Sequence, residues 1–441
     1  MKHSQPNILY VFTDQQTAGA MSCAGNTDLH TPAMDSLASA GTRFERAYCT
    51  YPLCTPARAS MFTGQMPHTV GIGGNGEDIG EAFRARELGV VLSDVGYECV
   101  YGGKWHVPEI ALPEGHGFRQ ICGFDDVGLP EACAEFLAAP HERPFLLVAA
   151  FDNPHNICEW SRDQPLPWGN VPPAHLADCP ALPANCALAP CEPEAVRRER
   201  SRVGIYRDAA YTPEDWRRYR HAYFRLVEKV DAQIGAILEA LRAAGLDEET
   251  VVIFSSDHGE ANGAHLWNQK TVLYEESVRV PLILREPGGK GARVDARLVS
   301  NGLDLFPTIC DYAGVEVPEG LPGRSLRPLV AGELVADWRD HLVIETALDC
   351  DGTTGLAVCS ARHKYVLYSF GKYREQLYDL GKDPGEMVNL AGCSSHAALV
   401  EECRDLLARW IEETGYREGA HYSHPRQRPR VPGEEYDHEP R

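Results

Sequence analysis

The sequence predicts an α/β fold, a large and mostly parallel sheet flanked by helices, with a smaller α+β domain after it. Three observations carry this reading. Short, continuous apolar runs alternate with helical patterns through most of the chain. Polar clusters stand directly after three of those runs. From about His341 the pattern changes to closely spaced strand-like segments followed by one helix. In open parallel sheets ligands bind at the carboxyl ends of strands, so three polar clusters at such ends point to one shared site.

In chain order, Asn7 to Phe12 (NILYVF) is the kind of run that is buried on both faces of a sheet, and it ends in Thr13-Asp14-Gln15-Gln16. Thr31 to Gly41 has Thr-Pro at its start, helical apolar spacing and a terminal glycine, which predicts a helix. Glu98 to Gly102, Phe145 to Phe151 and Val251 to Ser255 read as further buried strands, and Leu226 to Ala243 as a helix. The other two polar clusters are Asp152-Asn153-Pro154-His155 and Ser256-Asp257-His258-Gly259. Residues 156–216, rich in Pro, Trp, Ala and Arg, read as a long excursion over the sheet edge, the usual place of a lid or binding loop. HLVIETA, GLAVCSA and HKYVLYSF predict antiparallel strands, and a helix is expected from about His396 to Thr414. The expected division is residues 1–333, then 334–425, then a polar tail over 426–441.

Composition narrows the function. A net charge of −21 disfavours nucleic acid or an anionic membrane as partner, because phosphates need a basic face. It leaves room for a small anionic substrate in a locally basic cleft. No apolar run reaches the ~18 residues that span a bilayer, and no charged-then-apolar leader precedes the first strand, so a cytoplasmic protein is expected. The 15 cysteines include no C-x-x-C pair, and Cys179, Cys186 and Cys191 match no zinc spacing, so reduced thiols are expected.

One cysteine has unusual company. Cys54-Thr55-Pro56-Ala57-Arg58, followed by Ala-Ser-Met-Phe-Thr63-Gly64, resembles the signature of the type I sulfatases of the alkaline phosphatase superfamily. Other segments extend the resemblance: Pro6 to Asp14, Gly103-Lys104-Trp105-His106, Pro154-His155, Ser256 to Glu260, Asn268-Gln269-Lys270, Tyr274 to Pro281, and Leu377 to Asp379 with Asp383-Pro384. The resemblance implies an alkaline-phosphatase-like fold and a sulfuric-ester hydrolase. It also implies that a separate maturation enzyme oxidises Cys54 to formylglycine. One hydroxyl of the aldehyde hydrate would attack sulfur as the alcohol leaves. Deprotonating the other would then expel sulfate and restore the aldehyde. A serine in that place would stay trapped as its own sulfate ester.

The residue types suit this chemistry. A sulfate monoester is anionic, so its hydrolysis needs charge neutralised at the sulfuryl oxygens. Asp14 and Asp257 are carboxylates for a hard divalent cation, with Gln15, His258 and residue 54 completing the implied metal set. Lys104 and Lys270 can hold the remaining oxygens, and His106 and His155 can move protons near neutral pH. Arg58, one helical turn after Cys54, is expected to fix the hydrate or its metal contacts. Two departures from the commonest family pattern reduce the negative charge at the cation. Gln15 stands where a second carboxylate is frequent, and His258 where Asn is frequent. Calcium is the first expectation, with Mg²⁺ or Mn²⁺ as alternatives, and Gln15 is either a ligand or a supporting residue.

Some residues keep an open reading. His265 either joins the site or is structural, and Trp160 and Trp168 either stack on substrate or pack the excursion down. Substrate choice is expected in residues 72–86, 107–130 and 156–216, where Arg84, Arg86 and Arg162 stand, compatible with a sulfated saccharide, an aryl sulfate or a small alkyl sulfate. Related phosphonate and phosphate ester hydrolases share the Asp-Gln and Asp-His corners and the converted cysteine. Lys104 with His106 resembles the sulfatase pair instead. A binding protein that keeps only the fold is the remaining alternative.

Overall fold

The structure is a computed structural model that describes residues 5–107, 113–201, 211–348, 352–416 and 425. The first four strands are β1 (Asn7–Asp14), β2 (Thr42–Tyr48), β3 (Glu98–Gly103) and β4 (Arg119–Cys122). Then come β5 (Phe145–Pro154), β6 (Thr250–Ser256), β7 (Leu282–Arg285) and β8 (Arg293–Ser300). Together they form one eight-stranded sheet in the order β4-β3-β5-β1-β6-β7-β2-β8. All neighbouring pairs are parallel except those made by the short β7, which runs against β6 and β2. The predicted mixed, mostly parallel sheet is therefore present, and the predicted runs at Asn7, Glu98, Phe145 and Val251 form its centre.

Both faces of this sheet are buried, and strand periodicity shows it. Ile8, Tyr10 and Phe12 of β1 belong to one apolar cluster, while Leu9 and Val11 belong to another on the opposite face. β5 divides its residues the same way, Leu146, Val148 and Ala150 against Phe145, Leu147 and Ala149. The predicted first helix spans Pro32–Ala40. The largest helix, Pro213–Ala243, covers the second face with a stripe that includes Trp216, Tyr219, Tyr223, Leu226, Val230, Ile234 and Ile237.

That helix begins earlier than Leu226 and corrects the sequence reading. Thr212 and Asp215 form a reciprocal capping box, with Pro213 in the first turn. Several arginines between the buried aromatics hid the apolar spacing of this first half. The excursion before it holds short helices at Ile157–Ser161 and Glu194–Arg200. Its residues 202–210 lie outside the described residues, as does all of the predicted tail.

A second sheet follows: β9 (His341–Ala347), β10 (Thr354–Ser360), β11 (His363–Tyr368) and β12 (Glu375–Asp379), an antiparallel meander. One of its faces, with Val343, Leu356, Val358 and Leu367, packs on the helix Ala397–Thr414. The other face, with Leu342, Ile344, Ala357 and Val366, joins the first cluster of the large sheet. No helix among the described residues is long and apolar enough to cross a membrane.

Candidate active site

Three strand ends and one helix start meet at a single point. β1 ends in Asp14, β5 runs out to Asp152 and Pro154, and β6 delivers Asp257 and His258 just beyond Ser256. The helix Cys54–Thr63, buried along its whole length, starts there with Cys54 as its first residue. Pro56 suits the first turn, where its missing N–H has no intrahelical partner to lose. Leu53, at the N-cap, offers no capping side chain, and Asn75 Oδ1 accepts from the Thr55 N–H at 3.1 Å; the helix dipole favours negative charge at residue 54.

Two motif glycines are required by close approach. A Cβ at Gly103 would lie 2.0 Å from the Ala150 carbonyl oxygen, and φ there is +94°. A Cβ at Gly259 would meet the Glu276 carbonyl oxygen at 2.0 Å. The first brings Lys104 to the end of β5; the second lets the chain after His258 turn back along the segment around Glu276.

Arg58 organises the centre. Its Nε donates to Asp257 Oδ2 at 2.8 Å, one Nη to Asp14 Oδ2 at 2.9 Å, and the other to the Lys104 carbonyl at 2.5 Å. The sequence left Arg58 a choice between residue 54 and the metal contacts; the observed bonds are to the two carboxylates. Each carboxylate therefore gives Oδ2 to Arg58 and turns Oδ1 toward the centre, where Asp257 Oδ1 also accepts from the Gln15 and His258 backbone N–H groups at 3.0 and 2.8 Å. Asp14 Oδ1 lies 3.6 Å from Cys54 Sγ and 3.7 Å from His258 Nε2. His258 Nε2 lies 3.4 Å from Cys54 Sγ and 3.6 Å from Asp257 Oδ1. All four donor atoms lie within 4.8 Å of one another.

These separations fit a cation. Donors held 2.3–2.6 Å from one ion at right angles to each other are about 3.3–3.7 Å apart. Asp14, Asp257, His258 and residue 54 are thus a candidate metal-binding group. Gln15 Nε2 donates to Glu260 Oε2 at 2.6 Å, which turns its amide oxygen toward Lys270 Nζ at 2.8 Å. Lys270 Nζ also reaches Cys54 Sγ at 3.0 Å, so that amide oxygen faces the same centre.

The local charges are strongly coupled. Burial and the Asp14 carboxylate push the Cys54 thiol up, but Lys270, Lys104 and His258 outweigh them and hold it well below the usual thiol range. Burial pushes the Asp14 carboxyl up too, yet Lys104, Lys270, His155 and Arg58 hold it well below the ordinary carboxylate value. Asp257 is pushed up, by burial and by Asp14. Burial disfavours charge on His258, but Asp257 raises it above the ordinary imidazole value.

Lys104 spans the centre and the cavity beside it, with Nζ 2.7 Å from Asp14 Oδ2 and 3.0 Å from Asp152 Oδ1. That cavity is about 510 Å³, and Lys104, His106, His155, Phe124 and Glu159 help line it. His106 has a left-handed backbone (φ 56°), and its carbonyl accepts from Thr55 Oγ1 at 2.9 Å, tying the Gly103–His106 turn to the helix Cys54–Thr63. His155 Nδ1 lies 3.8 Å from Asp152 Oδ1. The structure thus assembles Asp14, Gln15, Cys54, Arg58, Lys104, Asp257, His258 and Lys270 around one point, with His106 and His155 on the adjoining wall.

His265 does not join them. It is stacked on Tyr274 at 3.6 Å and grouped with Glu276 and Glu386. Trp160 packs edge-on against Tyr219, and Trp168 donates from Nε1 to Asp152 Oδ2 at 2.8 Å. The excursion is therefore packed down by one tryptophan and tied to the site by the other. Sequence reasoning missed three contributors. Asp152 orients Lys104, Glu260 orients Gln15 and accepts from Tyr219 at 2.8 Å, and Glu159 lines the wall. Asp152 and Glu260 stood inside quoted polar clusters; Glu159 had only its position four residues after His155 to mark it. Every described cysteine is free.

The chain as a whole is similar to known proteins. The family model "Sulfatase" matches residues 6–133 and 124–315, and the model "N-sulphoglucosamine sulphohydrolase, C-terminal" matches 263–413. A Delta 4,5-hexuronate-2-O-sulfatase of Bacteroides thetaiotaomicron is 30% identical, covering 97% of this chain and 94% of its own. A solved 2-O GAG sulfatase superposes with a TM-score of 0.82 at 29% identity over 93% of each chain. The phosphonate monoester hydrolase of Agrobacterium radiobacter shares the fold, with a TM-score of 0.78 at 23% identity over 93% of this chain and 96% of its own.

Proposed function

Because the chain belongs to the sulfatase family of the alkaline phosphatase superfamily and is a sulfatase enzyme, we propose that it hydrolyses the sulfate monoester of a small sulfated saccharide, with residue 54 as formylglycine. The observation that carries this reading is the convergence of the Asp14, Asp257, His258 and Cys54 donor atoms within 4.8 Å, with Lys270 Nζ 3.0 Å from the sulfur. The saccharide is supported by the named substrate classes of the similar sulfatases.

Each side chain has a derivable task. Asp14, Asp257 and His258, with the Gln15 amide oxygen and the oxygen of converted residue 54, would hold one divalent cation. Calcium fits this oxygen-rich set best, although the imidazole also suits Mn²⁺, and Mg²⁺ remains an alternative. When bound, the cation neutralises charge at the sulfuryl oxygens and at residue 54. Arg58 keeps both carboxylates in place by binding the oxygen of each that the centre does not use. Lys270, already against Sγ, would favour the ionised hydroxyl of the hydrate. Lys104, held by Asp14 and Asp152, would meet a sulfuryl oxygen from the cavity side. His155 and His106 stand on the wall from which the alcohol leaves, where His155 would protonate the leaving oxygen.

The test is expression with a formylglycine-generating enzyme, followed by mass analysis of the peptide holding residue 54 and turnover of aryl sulfate beside aryl phosphonate diester. Conversion with faster sulfate hydrolysis is expected. Faster phosphonate hydrolysis favours the second reading, a phosphonate ester hydrolase, which the Gln15 and His258 corners support. An unconverted cysteine with no turnover of either ester returns the chain to a binding role.

A further inference from the structure

The carboxylates around the strand ends are occupied. Asp14 and Asp257 are held by Arg58, Asp152 by Lys104 and Trp168, and Glu260 by Gln15 and Tyr219. Glu159 is different. It sits on the helix Ile157–Ser161 and lines the cavity beside Lys104 and His155. Its Oε2 is buried without a hydrogen bond, and His155 Nδ1, its ion contact, is 3.9 Å away. The side chain as a whole is 23% exposed, and a carboxylate with no hydrogen bond at a cavity wall is a standing acceptor for a ligand donor.

A second feature of the same cavity is apolar. Phe124 is 55% exposed although it lies beside a buried charged centre, with Lys104 Nζ 6.0 Å from its ring centroid. Trp168 braces it edge-on at 5.2 Å and is itself pinned to Asp152. An open aromatic face next to an unbonded acceptor suits a ring that carries hydroxyl or amino donors. Among the described lining residues, Lys104 is engaged by Asp14 and Asp152, and the remaining fixed charges are the carboxylates Asp152 and Glu159.

We propose that Glu159 determines which alcohol the site accepts, taking a hydrogen bond from a hydroxyl or amino group of a neutral or amino sugar stacked on Phe124 and repelling an alcohol that carries a carboxylate. This rests on the sulfate-ester reading above. The anionic sulfate is met by Lys104, Lys270 and the cation, whereas a second anion on the ring would face Glu159, which His155 approaches only to 3.9 Å. Like charges a few ångströms apart near a protein surface are worth at least about a tenfold change in rate constant.

The matched probes are methyl glucoside and methyl glucuronide sulfated at the same ring position, with 4-nitrophenyl sulfate as the reference. The matured enzyme is expected to favour the glucoside by about tenfold or more in kcat/KM. Glu159→Gln is expected to shrink that ratio to within about threefold, chiefly by raising turnover of the glucuronide. Phe124→Ala should raise KM for the glycoside while keeping the preference. Equal or faster wild-type turnover of the glucuronide overturns the proposal. So does a Glu159→Gln enzyme slowed by one factor on all three substrates, which would place Glu159 behind His155 as a positioning residue. If aryl phosphonate is cleaved and aryl sulfate is not, the sulfate reading alone fails. The same sugar pair as methylphosphonate esters then reads the alcohol preference, and a preference for the carboxylated member overturns it there as well.

Discussion

Two of the buried clusters of charged side chains differ in a way that separates a reaction centre from a structural joint. At the strand ends, Arg58 binds one oxygen of Asp14 and one of Asp257 and leaves their partners turned toward Cys54 and His258. At the join with the small sheet, Lys364 of β11 lies 3.1 Å from Glu275 and 2.5 Å from Glu386, with its side chain fully buried. Glu386 also accepts from the Glu275 backbone N–H at 2.7 Å, and Glu275 from Tyr48 Oη at 3.1 Å. Both regions bring potential ligand atoms within 4.8 Å, the second through Glu386 with the adjoining His265 and Glu276. In the second, a lysine already supplies the cation between the carboxylates, and the bonds run from one sheet to the other. In the first, the cations stand outside the donor ring, and one of them, Lys104, lines an open cavity. Buried carboxylates alone therefore do not mark a site; a ring of donors aimed at a shared point does.

The sharpest way to break this contrast is to remove the central atom. Cys54→Ala should lower kcat on aryl sulfate by on the order of 10⁴-fold or more while the far-ultraviolet dichroism stays that of the parent. Retention of a tenth of the activity would show that residue 54 is not the nucleophile position.

Next in size is the joint. Lys364→Met strands two buried carboxylates and should destabilise the protein by about 3–5 kcal/mol in urea unfolding, with kcat preserved below the transition. Adding Glu386→Gln should restore part of that loss. A loss of catalysis without a loss of stability would reverse the roles given to the two clusters.

Metal binding tests the contrast from the other side. Calcium added to chelator-treated protein at about 100 times its Kd should stabilise it by about 2.7 kcal/mol. Asp257→Asn should abolish that gain, and Glu276→Gln, in the second cluster, should keep it. The mildest change is Trp168→Phe, which removes the donor to Asp152. It should lower kcat/KM about fivefold, the scale of one net hydrogen bond of about 1 kcal/mol. Unaltered kinetics there would mean that Asp152 needs only Lys104 and Asn156.

Much of the large sheet was legible, because a strand buried on both faces must be apolar at every position and must end where polar residues begin. The same logic exposed Asp14 and Asp257, and the spacing of Cys54 and Arg58 exposed the nucleophile helix. The first half of the helix Pro213–Ala243 was hidden by arginines between its aromatics, and its capping box was the signal that could have found it. His265 was ambiguous because a histidine shortly after a metal corner can turn either way; the chain carries it toward Tyr274 and Glu276. Glu159 carried no motif at all. Its importance comes from lacking a hydrogen bond, with only His155 near at 3.9 Å, and a missing bond cannot be read from neighbours in sequence.

The amino-acid order alone determined the alternation of strands and helices, the three polar strand ends and the cysteine placed at a helix start. These are local properties, set by side-chain period, backbone sterics and a few residues of spacing. Only the tertiary structure decided which oxygen of each carboxylate faces the centre, because Arg58 selects it from 199 positions away along the chain at Asp257. The same holds for Lys270, which reaches Cys54 across 216 positions, and for the unbonded carboxylate of Glu159 on the cavity wall. Pairing and its absence depend on distances in space, which the packing of the two sheets and the long helix sets and the sequence order does not.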